Sequence, residues 1–193
     1  MKIIGIKNSN GKELPQQVYL MADSSVIRTN KPFFVPHFAQ RFTGTTALVL
    51  RLGRLGKHIA PRFAHRYCDA IAPAIKVTAQ GIDWEQHSSE HSALAHSFDG
   101  ALLLGDFAPV TSPDAINSAT VGAIMGNENT GSMSLSDTGI DYRQLIAQLS
   151  IYFTLKMGDM IVVELGNSQS VLSPGDTATA CLNGDLKLTI RVK

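Results

Sequence analysis

Residues 47–67, ALVLRLGRLGKHIAPRFAHRY, constrain this chain more than any other stretch. They begin as an apolar run that suits a buried strand, at 47–52, then turn basic and amphipathic with Arg51, Arg54, Lys57, His58, Arg62, His65 and Arg66. Pro61 fits the first turn of a helix carrying Phe63, Ala64 and Tyr67, because its fixed φ suits that position and its missing N–H is not needed there. The local reading is strand, basic turn, short helix. The cations alternate with apolar residues, which fits a solvated or interface-facing structural helix.

The rest of the chain reads as many short strands. Residues 1–6 (MKIIGI), 17–21 (QVYLM) and 119–125 have strand character, and 102–104 should be buried. Residues 33–36 are extended, since a residue before proline is pushed out of the helical region. Residues 70–79 (AIAPAIKVTA) suit a buried strand, with Pro73 confining the first half to an edge or a bulge. Residues 81–97 read as an irregular, partly helical excursion, 109–118 as a loop, and 126–139 as a long exposed loop of Asn, Gly, Ser and Thr. The strongest helix is 141–153, where Leu145, Ile146, Leu149, Tyr152 and Phe153 form one apolar stripe. A short buried strand follows at 160–163. The clearest hairpin joins 177–182 to 185–192 through Asn183-Gly184, a pair that tolerates the two positive φ values of a type I′ turn. About eight to ten short strands and two helices make a β-rich α+β fold with no internal repeat or linker.

The chain has 193 residues, 44% of them hydrophobic and 17% charged, so one domain over 1–193 with a sizeable core is expected. Its net charge of +1 gives no global case for nucleic acid or an anionic membrane as partner. No apolar run approaches the roughly 18 residues that span a bilayer. The N-terminus lacks a signal-peptide core. Cys68 and Cys181 show no reason to pair, so a reduced, cytoplasmic protein is expected.

Five segments, in order, carry a resemblance: KPFFVPHF, RLGKHIAPRFAHRYCDA, HSFDGALLLGDF, YRQLIAQLSIYFTLKMGDMIVV and LSPGDTATACLNGDLKLTIRVK. Together they resemble the fumarylacetoacetate hydrolase family, in its compact single-domain, 2-hydroxyhepta-2,4-diene-1,7-dioate isomerase-like branch. The resemblance implies a mixed β-sandwich roll, usually a homodimer, and metal-assisted hydrolysis, isomerisation, hydration or decarboxylation of small keto-acids. The metal would be Mg²⁺, Mn²⁺ or Ca²⁺, hard cations that want oxygen ligands and act as Lewis acids on substrate oxygens. In the family two ligands come from an E-x-E pair on one face of a strand, a third from an Asp, and a lysine helps to hold the substrate.

This sequence departs from that pattern at the site itself. Counting from RLGRLGK, the E-x-E positions fall on Thr45 and Ala47. Counting through IKVTAQG, the metal-binding Asp position falls on Lys76 and a second acidic position on Gly81. The family lysine falls on His96, and the late T-G-T-P loop is replaced by Val163-Glu164-Leu165-Gly166. The N-terminal segment that elsewhere brings a catalytic histidine is shortened to KNSNGKELPQQ. The expectation is a family member with no metal cofactor, serving as a binding or partner subunit in a homodimer or beside a paralogous subunit. Lys76 is expected to point to solvent or to a backbone carbonyl, with a role as a cation in place of the metal as the sharper alternative. The alternative is an active hydrolase, isomerase or decarboxylase on small keto-acids with a remodelled site of Lys76, His96 and Glu164, in which His96 or His65 pairs with Glu164 as acid and base. A third reading rests on His87, Glu90 and His91, which match the H-x-x-E-H pattern of inverted zinc peptidases without a clear third ligand.

Overall fold

The computed structural model describes residues 1–7, 17–82, 93–166 and 169–193. In chain order its strands are β1 (Ile3–Lys7), β2 (Gln17–Met21), β3 (Val26–Arg28), β4 (Ala39–Leu52), β5 (Cys68–Ile82), β6 (Leu102–Leu104), β7 (Ala108–Pro109), β8 (Thr120–Met125), β9 (Glu128–Ser134), β10 (Met160–Glu164), β11 (Ser170–Val171), β12 (Thr177–Leu182) and β13 (Asp185–Arg191). The α-helices are α1 (Ala93–Ser97), α2 (Ala115–Ser118) and α3 (Tyr142–Tyr152), with 3-10 turns at Asp23–Ser25, Pro61–Arg66 and Ser136–Thr138.

Two sheets result. The larger runs β2-β1-β10-β4-β5-β6-β3, with β11 added to β4 and β7 to β5; the smaller runs β13-β12-β8-β9. The large sheet is mixed, since β1 lies parallel to β10 and β3 parallel to β6 while its other pairs are antiparallel. Its axis is the long β4–β5 ladder, paired from Ala39 opposite Ile82 to Leu52 opposite Cys68. The apolar run at 47–52 is the end of this fourteen-residue strand.

Because side chains alternate along a strand, each face of the large sheet has its own partner. On one face Ile4, Ile6, Leu48, Leu50, Leu52, Ile161 and Val163 pack against Leu145, Ile146 and Leu149 of α3 and against Ala64 of the 3-10 turn. Farther along that face, Phe42, Ile75, Val77 and Ala79 meet Ala123, Met125, Ala178, Ala180, Leu188 and Ile190 of the small sheet. On the opposite face Ile3, Met21, Ala47, Val49, Ala72, Ala74, Leu102, Leu104, Met160 and Val162 form a third core. This arrangement is the β-rich α+β architecture expected from the sequence.

Several local expectations change. Pro73 lies inside the sheet, opposite Leu48 of β4, not at an edge. It is tolerated because its missing N–H faces the gap between β6, which pairs with 74–76, and β7, which pairs with 70–71. Its carbonyl accepts from Gly105 N at 3.0 Å in that gap. Residues 126–139 are not a loop: β9 hydrogen-bonds to β8 as the outer strand of the small sheet and stays polar because most of its residues face solvent. Gly126, with φ +58, makes the tight turn into it. The 61–66 helix is 3-10 rather than α, with Pro61 at its start and Ala64 buried. In α3, Asp141 Oδ1 accepts from Arg143 N and caps the start, but Tyr152, 75% exposed, leaves the apolar stripe. The 109–118 segment holds the end of β7 and helix α2. The Asn183-Gly184 hairpin is as read, with φ of +52 and +87. Cys68 and Cys181 are free thiols. Among the described residues no helix is long and apolar enough to cross a membrane.

Candidate functional site

Thr45 and Ala47, two residues apart on β4, point to the face of the large sheet away from α3 and the small sheet. Strand register carries that face sideways. Ala47 stands opposite Glu164 of β10, and Thr45 opposite Lys76 of β5. Two strands beyond β4, Gly5 of β1 stands opposite both Val162 of β10 and Tyr19 of β2. The sequence positions singled out as Thr45, Ala47, Lys76 and Glu164 therefore share one surface, and all four are buried. His96 of α1, also buried, reaches the same place by stacking on Tyr19, with ring centroids 4.7 Å apart.

Tyr19 holds the group together, and sequence reasoning missed it. Its hydroxyl donates to Glu164 Oε1 at 2.7 Å, its ring lies 5.6 Å from Lys76 Nζ, and its other contact is the His96 ring. The signal was present in Gly5, because a glycine inside a strand marks close approach of another group. A Cβ on Gly5 would sit 2.2 Å from the Tyr19 ring. Gly5→Val is expected to lift Tyr19 from the sheet and lose about 1–3 kcal/mol of stability, read by urea denaturation. The Gly5→Val/Tyr19→Ala double variant should lose less than the two single changes added together.

Lys76 is the most constrained member. It is 0% exposed, and Nζ donates to the Val77 carbonyl at 2.5 Å. Burial pushes its ammonium down to about 7, against a partial upward pull from Glu164 and a further push down from Lys7. Burial also raises the Tyr19 hydroxyl well above its usual range, and the Glu164 carboxylate adds to the effect by its charge and its hydrogen bond. Beyond this cluster the face stays polar. Thr43 stands opposite Thr78, Thr43 Oγ1 donates to Gln169 Oε1 at 3.3 Å, Gln80 Nε2 donates to the same oxygen at 2.8 Å, and the Arg41 guanidinium donates to Gln80 Oε1. Among the described residues the result is a row of hydrogen-bonding groups, running from the Arg41 guanidinium through neutral Gln and Thr side chains to one buried amine and one buried carboxylate.

Other candidates lie elsewhere. His65 belongs to the 3-10 turn packed with α3, across the sheet from Glu164, so it makes no acid–base pair with it. His87, Glu90 and His91 lie outside the described residues. Among the described residues no three His, Cys, Asp or Glu side chains gather as a metal cluster.

Comparison with known proteins gives a consistent result. The model of the fumarylacetoacetate (FAA) hydrolase C-terminal family matches residues 5–193. No curated protein sequence matches the chain significantly. Among solved structures, fumarylpyruvate hydrolase from Pseudomonas aeruginosa, in complex with Mn²⁺ and pyruvate, superposes with a TM-score of 0.86 at 14% identity, over 100% of this chain and 89% of that one. The 2-hydroxyhepta-2,4-diene-1,7-dioate isomerase from Mycobacterium marinum gives 0.84 at 19% identity, over 99% of this chain and 73% of that one. The 5-carboxymethyl-2-hydroxymuconate delta-isomerase from Mycobacterium smegmatis gives 0.83 at 20% identity, over 99% and 78%. These identities speak for the fold. The match of the family model across nearly the whole sequence settles descent: the chain belongs to the fumarylacetoacetate hydrolase family.

Proposed function

We propose that this protein keeps the family fold without metal-dependent chemistry and works as a binding or partner subunit, in a homodimer or beside a paralogous chain. The observation that carries this reading is Lys76. Its buried ammonium stands opposite Thr45, on the face shared with Ala47 and Glu164. A hard dication needs several oxygen ligands, preferably carboxylates. Among the described residues this face offers one carboxylate, Glu164, and that already accepts from Tyr19. Among the described residues, the donors on this face suit an internal cation supplied by the chain itself better than a divalent metal.

The test is calorimetric titration of the metal-stripped protein with Mg²⁺ and with Mn²⁺, beside a Thr45→Glu/Ala47→Glu/Lys76→Asp variant. The natural protein should give no binding heat and no Mn²⁺-dependent rise in Tm, and the variant should bind. Tight binding by the natural protein would sink the proposal whether or not the variant folds.

One observation favours a second reading. Lys76, Glu164, Tyr19 and His96 converge, and the Lys76 amine is pushed to about 7, where a lysine can exchange a proton at working pH. On that reading the protein is a metal-independent enzyme on small keto-acids. Turnover of a small 2-keto-acid in the presence of EDTA, abolished by Lys76→Met, would put this reading first.

A further inference from the structure

We propose that the surface built by residues 54–66 and 151–157 is a docking site for an acidic segment of another protein that carries a large apolar side chain. This proposal is independent of the reading of the buried site. The two stretches form one rigid platform. Gly56 and Leu155 exchange both backbone hydrogen bonds, at 2.9 and 2.8 Å. His58 N donates to the Ser150 carbonyl, Ile59 N to Ser150 Oγ, and Lys57 Nζ to the Ile151 carbonyl.

The platform presents Arg54, Lys57, Arg62, Arg66 and Lys156, all exposed, together with His58. Neither stretch contains an aspartate or glutamate. Among the described residues none of these arginines and lysines forms a salt bridge; those present involve Lys2, Arg51, Arg143 and Lys187. On a chain with a net charge of only +1, this concentrates positive charge on one surface. Between the cations, Leu55, Tyr152 and Met157 are 69, 75 and 77% exposed, and Ile151 and Phe63 are also exposed. Exposed large apolar side chains on the same two stretches as arginines without a salt-bridge partner among the described residues have the composition of a protein interface.

Charge complementarity selects the occupant. A second copy docked through the same patch by two-fold symmetry would set these cations against one another. Arginine predominates on the platform, and Arg62 and Arg66 are laid over the Phe63 ring at 4.7 and 5.1 Å. Held against the ring, a guanidinium can offer its planar fork to carboxylates with less further loss of freedom. The same stacking keeps Phe63 under charged groups, which disfavours its insertion into lipid.

The experiment measures binding of a fluorescein-labelled peptide, rich in Asp and Glu around a central Leu-Phe pair, by fluorescence anisotropy. The comparison probes are the same peptide with Lys in place of its acids, vesicles of phosphatidylglycerol and phosphatidylcholine in equal parts, and a single-stranded oligonucleotide. The intact protein should bind the acidic peptide and release it as salt is raised. Arg62→Glu/Arg66→Glu and Leu55→Ser/Met157→Ser, all on the surface and checked for an unchanged Tm, should each weaken binding by about tenfold or more. Absence of binding, binding indifferent to the charge reversal, or tighter binding to vesicles or oligonucleotide would overturn the proposal. So would self-association in sedimentation that the charge reversal abolishes.

Discussion

Urea denaturation should show this protein gaining about 2 kcal/mol of stability between pH 7 and pH 9, a rise that Lys76→Met removes. The sign follows from proton counting. Lys76 ordinarily titrates near 10.5 but near 7 in the fold, so above pH 7 the unfolded chain holds a proton that the native state has released. Stability then rises with pH, at up to about 1.4 kcal/mol per pH unit. The gain slows from about pH 9, where Cys68 enters. Burial raises that thiol from 9.0 to about 12, so the unfolded chain loses a proton that the native state keeps, which offsets the lysine. Above the ordinary value of 10.0 for tyrosine, the raised Tyr19 hydroxyl works in the same direction as Cys68, and stability should fall. A flat profile from pH 7 to 9 would mean that Lys76 is not buried as a depressed amine.

Glu164→Leu should cost about 3–5 kcal/mol below pH 7, because it leaves the Lys76 charge buried without its carboxylate and the Tyr19 hydroxyl without its acceptor. The loss should shrink toward pH 9, where Lys76 is neutral in the fold and only the Tyr19 hydrogen bond is missing. Lys76→Met/Glu164→Leu should recover most of the loss, since two apolar side chains on a buried face need no mutual compensation. A cycle measured by urea denaturation at two pH values checks both statements. Additive losses at both would show that the two residues do not act as a pair.

How far the sequence could be read depends on which forces set each element. The Asn183-Gly184 hairpin and α3 were legible because their signals are local: two positive φ values in one case, a 3.6-residue apolar period with an Asp cap in the other. Strand β9 was not, since a solvent-facing outer strand needs no apolar alternation and its Asn, Ser, Thr and Gly mimic a loop. Pro73 was misplaced because the gap between β6 and β7 that accepts it is a property of the assembled sheet. For the site, counting along the resemblance brought Thr45, Ala47, Lys76 and Glu164 to attention, and register placed them on one face. Tyr19 escaped notice because QVYLM has apolar residues on both faces. The sequence cannot show that Val18 and Leu20 face outward while Tyr19 and Met21 face the core side.

The parallel pairing of β1 with β10 has a consequence for biosynthesis. β1 leaves the ribosome ahead of β10, and its neighbour in the sheet, Met160 opposite Ile3, is synthesised more than 150 residues later. Until then β1 can pair only with β2, and the β1 edge that will face β10 stays open to any strand it meets. Closing so long a stretch of chain adds little to the equilibrium cost, because loop entropy grows only with the logarithm of length. It does make completion of the large sheet a late event on the chain. The backbone N–H of Lys2 donates to the side chain of Asp159, and the Lys2 ammonium pairs with the same carboxylate. The charge pair at the strand ends thus closes an edge that a growing chain must carry exposed while the stretch between β1 and β10 is made.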